Sequence, residues 1–70
     1  MNESSAKDII NATEETFSKL SRLLEVVNSS CDADTRKSFQ HAIGVALTEL
    51  DMEILETLYK EFPELTPPDR

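Results

Sequence analysis

The sequence predicts an all-α fold, an antiparallel helical hairpin of two long helices. Two observations carry this. Apolar residues recur at steps of three and four through both halves of the chain, and the one Gly and three Pro leave the first 62 residues almost free of breakers. A third observation sets the topology: Asn28-Ser29-Ser30-Cys31-Asp32 is the single turn-like cluster inside the chain. A connection that short makes its flanking helices antiparallel neighbours.

The first helix is expected over about residues 5–28. Ile10, Thr13, Phe17, Leu20, Leu24 and Val27 alternate steps of three and four, which is a heptad seam, and Ile9 and Leu23 widen it on one side. Ser5 suits the N-cap, with Asp8 as a dipole-favourable acid in the first turn. Glu15 and Lys19 are ordered for an i,i+4 pair on the wet face. A loop is expected over residues 29–32, where Asn, Ser and Asp compete for nearby backbone groups and so end or start helices. Asp32 or Asp34 can cap the next helix, and Asp32 is placed for an i,i+4 pair with Arg36.

The second helix is expected over about residues 33–62. Its apolar stripe, Phe39, Ile43, Leu47, Leu50, Ile54, Leu58 and Phe62, steps mostly by four and so drifts around the helix; after Asp51 a second stripe of Leu55, Tyr59 and Phe62 joins it. Thr48-Glu49-Leu50-Asp51 could start a fresh helix, so the rod is expected to be continuous with a bend or split near residues 48–51. Gly44 either admits a close neighbour or marks that bend. Pro63 ends the helix, because the residue before a proline is pushed out of helical geometry. Residues 63–70 are then an extended tail with Leu65 tucked back, and residues 1–70 form one small domain.

These stripes are wider than one seam can cover. Burying a large apolar side chain is worth roughly 1.5–3 kcal/mol, while ordering the chain costs about 1.5 kcal/mol per residue. A hairpin that left half its apolar set wet would be marginal. Two hairpins packed face to face, a homodimeric four-helix bundle, cover both flanks; a folded three-helix monomer is the alternative. The expected interface is Leu50, Ile54, Leu55, Leu58, Tyr59, Phe62 and Leu65.

Composition narrows the chemistry. The chain carries 14 acidic and 7 basic side chains for a net charge of −7, with one Cys and one His. A lone Cys builds no internal disulfide framework, and one His with one Cys cannot supply a usual four-ligand zinc site. Cys31 has no basic or His neighbour in sequence to activate it, and it reads as a loop cysteine; His41 has no carboxylate or thiol at helical spacing to orient it. Asp32-Ala33-Asp34 lacks the glycine and terminal glutamate of a calcium loop. Three Asn-x-Ser/Thr triplets, at Asn2, Asn11 and Asn28, stand without a secretion signal and carry no weight. Neither a metal site, a cofactor site nor a catalytic pair is expected.

Charge is uneven: residues 49–70 hold seven acids against two bases. Glu49, Glu53 and Glu56 fall at i,i+4 and i,i+3 and are expected to form one acidic column on the solvated face, opposite Leu50, Ile54 and Leu58. The bases are dispersed and the net potential repels phosphate, so nucleic-acid binding is not expected. No apolar run approaches the roughly 20 residues of a membrane span, and the N-terminus lacks signal-peptide features; a cytoplasmic location is the expectation. The functional expectation is a small acidic helical protein that self-associates and binds another macromolecule, a protein partner included, without catalysing a reaction. The alternative is an acidic inhibitor that docks on a basic groove of a partner protein.

Overall fold

The computed structural model describes residues 1–70 and is a helical hairpin of 45 × 22 × 16 Å without strands. Helix α1, Glu3–Ser30, is longer at each end than expected. Its cap is Asn2, not Ser5: the Asn2 Oδ1 accepts from the Ser5 N–H at 2.8 Å, which satisfies one of the orphan donors of the first turn. Thr13 is the one polar residue buried in the seam, and its hydroxyl donates to the Ile9 carbonyl at 2.7 Å, so no polar atom is stranded.

The connection is only Cys31 and Asp32, both extended. The Asp32 carboxylate accepts from the Thr35 N–H at 2.8 Å and its carbonyl from the Arg36 N–H at 2.8 Å. The Thr35 N–H, helped by the Thr35 hydroxyl, holds the exposed Asp32 carboxyl below its ordinary pKa. A depressed folded-state pKa means that the contribution is complete above the unfolded value and is lost as pH falls through the folded one. The wild-type urea midpoint is therefore expected to fall below about pH 4 by more than that of Asp32→Asn, which keeps a capping oxygen but cannot titrate. Identical midpoint-versus-pH curves would remove the cap from the acid response. Neither Asp32–Arg36 nor Glu15–Lys19 forms an ion pair. The helix-surface pair present is Lys7–Glu3, at 3.9 Å and well exposed, where such pairs contribute little.

The second rod is continuous but not uniform. It comprises α2, Ala33–Glu49, a π-helical segment, Leu50–Leu55, and α3, Glu56–Glu61. The backbone stays in the right-handed region across both joints, and the Glu56 N–H reaches back five residues to the Asp51 carbonyl. The second rod is continuous as expected, and the irregularity expected near residues 48–51 is a widening of the helix. Its cause is visible in the spacing. Ile43, Leu47, Leu50, Leu55, Leu58 and Phe62 step by four, three, five, three and four. The step of five is a heptad seam with one residue inserted, and a π segment absorbs one residue per turn, restoring about 100° of rotation. The drifting stripe and the second stripe thereby become one.

That seam meets α1 at the open end of the hairpin. Ala6, Ile10, Leu55, Leu58 and Tyr59 form the core, with Ile9, Phe17, Ile54, Phe62 and Leu65 packed against it. Ala6 is fully buried, and its small side chain lets the rods approach there. At the loop end the seam turns polar: the Gln40 amide donates to the Asn28 side-chain oxygen at 2.6 Å, and Val27 and Ile43 are the buried apolar groups.

Residues 63–70 are not extended. Pro63–Leu65 is a 3-10 turn, and the Arg70 N–H closes a further turn onto the Pro67 carbonyl at 3.2 Å, so the tail folds back along the hairpin. Gly44 admits no neighbour either, since a Cβ there would meet nothing within 4 Å. Gly44→Ala is expected to raise unfolding stability by about 1 kcal/mol through helix propensity alone, read as a higher urea midpoint with unchanged slope. Destabilisation would mean that the Gly44 face is packed in solution.

Candidate interaction surface

Heptad geometry gives the hairpin two flanks. In antiparallel rods, the residue just before each seam position turns to one side on both helices, and the residue just after turns to the other. The preceding flank carries Ile9, Ala12, Thr16, Lys19, Leu23 and Val26 from α1, and Phe39, Ala42, Ala46, Glu49, Ile54, Thr57 and Glu61 from the second rod. The following flank carries Asn11, Glu14, Ser18, Ser21, Glu25 and Asn28 from α1, and Asp51, Glu56 and Tyr59 from the second rod. The first flank is apolar near the turn, at Leu23, Val26, Phe39 and Ala42, and again at Ile9 and Ile54, with Thr16, Lys19 and Glu49 between; the second flank is mostly polar.

The side chains behave accordingly. Leu23 and Phe39 are left 46% and 48% exposed on the preceding flank, close to the turn, where the polar seam gives them nothing to cover them. Toward the open end the same flank forms an apolar groove lined by Met1, Ile9, Ile54, Thr57 and Leu58, with Glu53 at its edge. Val26 on the same flank is exposed as well, and so are Val45 and Met52 of the second rod.

Leu55, Leu58 and Tyr59, expected at an interface, are the centre of the chain's own core; Ile54, Phe62 and Leu65 pack against it, and Leu50 is half-buried. They are not a free surface, because the π segment turns them onto α1. The uncovered apolar side chains that lie together are Leu23, Val26 and Phe39 on the loop-proximal flank, and their sequence signal is that each lies one residue off the seam.

The three acids are all exposed but do not share one column. Glu49 lines a shallow groove with His41, Gly44, Val45 and Thr48, Glu53 lines the Met1–Ile54 groove, and Glu56 lines a third with Tyr59, Lys60, Thr66 and Arg70. The widened π turn separates Glu53 from Glu56 in angle, although an α-helix would stack them.

On the polar flank the tail makes the contacts. The Arg70 guanidinium is 2.8 Å from the Asp51 carboxylate and 4.9 Å above the Tyr59 ring. The hydrogen bond to Asp51 raises the pKa of Arg70 still further, so the cation is permanent. Cys31 is a free, half-exposed thiol at the turn and His41 is exposed. No group of three or more His, Cys, Asp or Glu side chains is placed to hold a metal ion, and no helix is long and apolar enough to cross a membrane.

No protein-family model, curated protein or solved structure matches this chain. Its reading therefore rests on surface arithmetic. A compact monomer of 7.9 kDa exposes about 4,400 Å², whereas the hairpin exposes 5097 Å². The radius of gyration is 14.7 Å, against about 11 Å for a compact chain of this length. Only eight of 70 residues are buried. The hairpin is elongated, with more surface than its mass calls for.

Proposed function

We propose that this chain is a self-associating helical hairpin, that two copies pair through the Leu23–Phe39 flank into a four-helix bundle, and that the assembly works by binding another macromolecule and not by catalysis. The observation that carries the pairing is the surface excess, about 700 Å² over a compact monomer. A standard interface removes about 800 Å² per partner, so a second copy supplies what one chain lacks. Ala42 and Ala46 beside Phe39 leave room for helices to approach. Scattered acids weaken the alternative, an acidic inhibitor on a basic groove, because Glu49, Glu53 and Glu56 present no common face.

Sedimentation equilibrium over a concentration series tests the pairing. The expected mass is twice 7.9 kDa, unchanged at about 0.5 M salt, because apolar contacts are not screened as ion pairs are. Phe39→Glu places a charge in each half of the interface. At roughly 2 kcal/mol per central side chain, the doubled effect weakens association on the order of a thousand-fold. Helicity is expected to survive, since Phe39 is outside the core. A single 7.9 kDa species at full helicity and at about 100 μM, where even weak pairs with Kd near 1 μM are assembled, ends the proposal.

A further inference from the structure

The polar flank holds a second, independent feature: the chain's own tail lies against it and closes a groove with the two rods. Glu14 and Phe17 of α1, with Leu55 and Tyr59 of the second rod, line it on one side, and Pro67, Asp69 and Arg70 line it on the other. The tail is seated by three contacts of different kinds. Arg70 pairs with Asp51 at 2.8 Å, its guanidinium lies 4.9 Å over the Tyr59 ring, and Leu65 packs against the core beneath. The charges favour a cation here, since Asp51 pairs with the guanidinium and Glu56 acts on it through space, although Lys60 lines the same groove as Glu56. A carboxylate beside an aromatic face is the chemistry that recognises an arginine in an extended segment.

We propose that this flank is a docking site for an arginine-bearing, proline-containing extended peptide, and that residues 66–70 are its occupant in cis. Both Arg70 and Asp51 are about one-third exposed, so the strap is held by surface-strength contacts and can leave. Its advantage is its tether. A short flexible connection gives the strap an effective concentration of about 1 mM, so a free peptide with the same contacts competes only when that tethered occupant is weakened, and a partner must add contacts of its own. Self-association uses the opposite flank, so this site stands or falls separately from the dimer.

Tyr59 provides the readout, because it is the one Tyr in a chain without Trp. The probe is a synthetic peptide with the sequence of residues 64–70, added to full-length chains and followed by Tyr59 fluorescence and ring proton shifts. Arg70→Ala alone is expected to raise acrylamide quenching of Tyr59 about two-fold by uncovering the ring. Peptide titrated to about 10 mM, above the tether's effective concentration, is expected to bind Arg70→Ala saturably and reverse that change. Wild-type chain is expected to bind at least ten-fold more weakly, and Arg70→Ala with Asp51→Asn not measurably. The proposal is overturned if Arg70→Ala leaves Tyr59 unchanged, if no saturable binding appears, if wild type binds as well as Arg70→Ala, or if Asp51→Asn makes no difference. Circular dichroism of each variant confirms that the helices persist. The oligomer mass is expected to stay at the wild-type value in all of them.

Discussion

Replacing Leu58 by alanine is expected to remove about half of the chain's stability at 25 °C. Leu58 is 3% exposed and stands in a core of only five buried residues. Truncating a leucine in such a place costs about 2–5 kcal/mol, from lost transfer energy and from the cavity left behind. A chain of 70 residues has a total stability of about 4–10 kcal/mol at typical values per residue. No second core exists to hold the hairpin, since the loop end is stitched by the Asn28–Gln40 bond and by Val27 and Ile43. Far-UV circular dichroism with urea titration is the measurement. Leu58→Met, which nearly conserves volume, is expected to lose under about 1.5 kcal/mol. A Leu58→Ala chain as stable as wild type would show that the core lies elsewhere.

Deleting Met52 is expected to leave the protein folded and to stabilise it, although deletions inside a helix usually destroy packing. Removal of any interior helical residue turns everything beyond it by about 100°. Here that turn is the one the π segment already compensates. Without Met52, the seam from Ile43 to Phe62 steps by four, three, four, three and four, and an ordinary α-helix places Leu55, Leu58 and Phe62 on α1. Met52 itself is exposed and packs on nothing in the core. The opposite change is the control. Inserting one alanine after Met52 lengthens the central step to six and turns Leu55, Leu58 and Tyr59 off α1. Losing their burial, roughly 1.5–3 kcal/mol each, is comparable to the whole stability of a chain of this size. The expected pattern is a higher urea midpoint for the deletion and loss of cooperative unfolding for the insertion. A deletion that unfolds while the insertion is tolerated would reverse the account of the π segment.

Much of the fold is legible in the amino-acid order. The α1 seam repeats without interruption, Asn28 to Asp32 marks the turn, and Pro63 marks the end of the second rod, because each of these is set by local geometry or by heptad spacing. What escaped the reading has a common reason. The Leu50-to-Leu55 step of five looks like drift when the apolar residues are taken together, and it becomes an insertion only once α1 is present to demand one continuous seam. Tyr59 and Leu55 look like interface until that seam claims them. The strap could not be read because Arg70 lies beyond the helix that carries Asp51 and Tyr59 and shares no periodicity with them. Their meeting depends on where the π turn aims Asp51 and on how Pro63 and Pro67 turn the tail.

By itself, then, the order of residues determined two amphipathic rods, their turn and their excess of apolar width, since those follow from propensity and periodic burial. Tertiary structure decided which apolar residues become core and which remain on the Leu23–Phe39 flank, how the acids divide among three grooves, and where Arg70 comes to rest. A helix's own geometry gives each side chain a direction, but only the facing helix determines whether that direction is inside or outside.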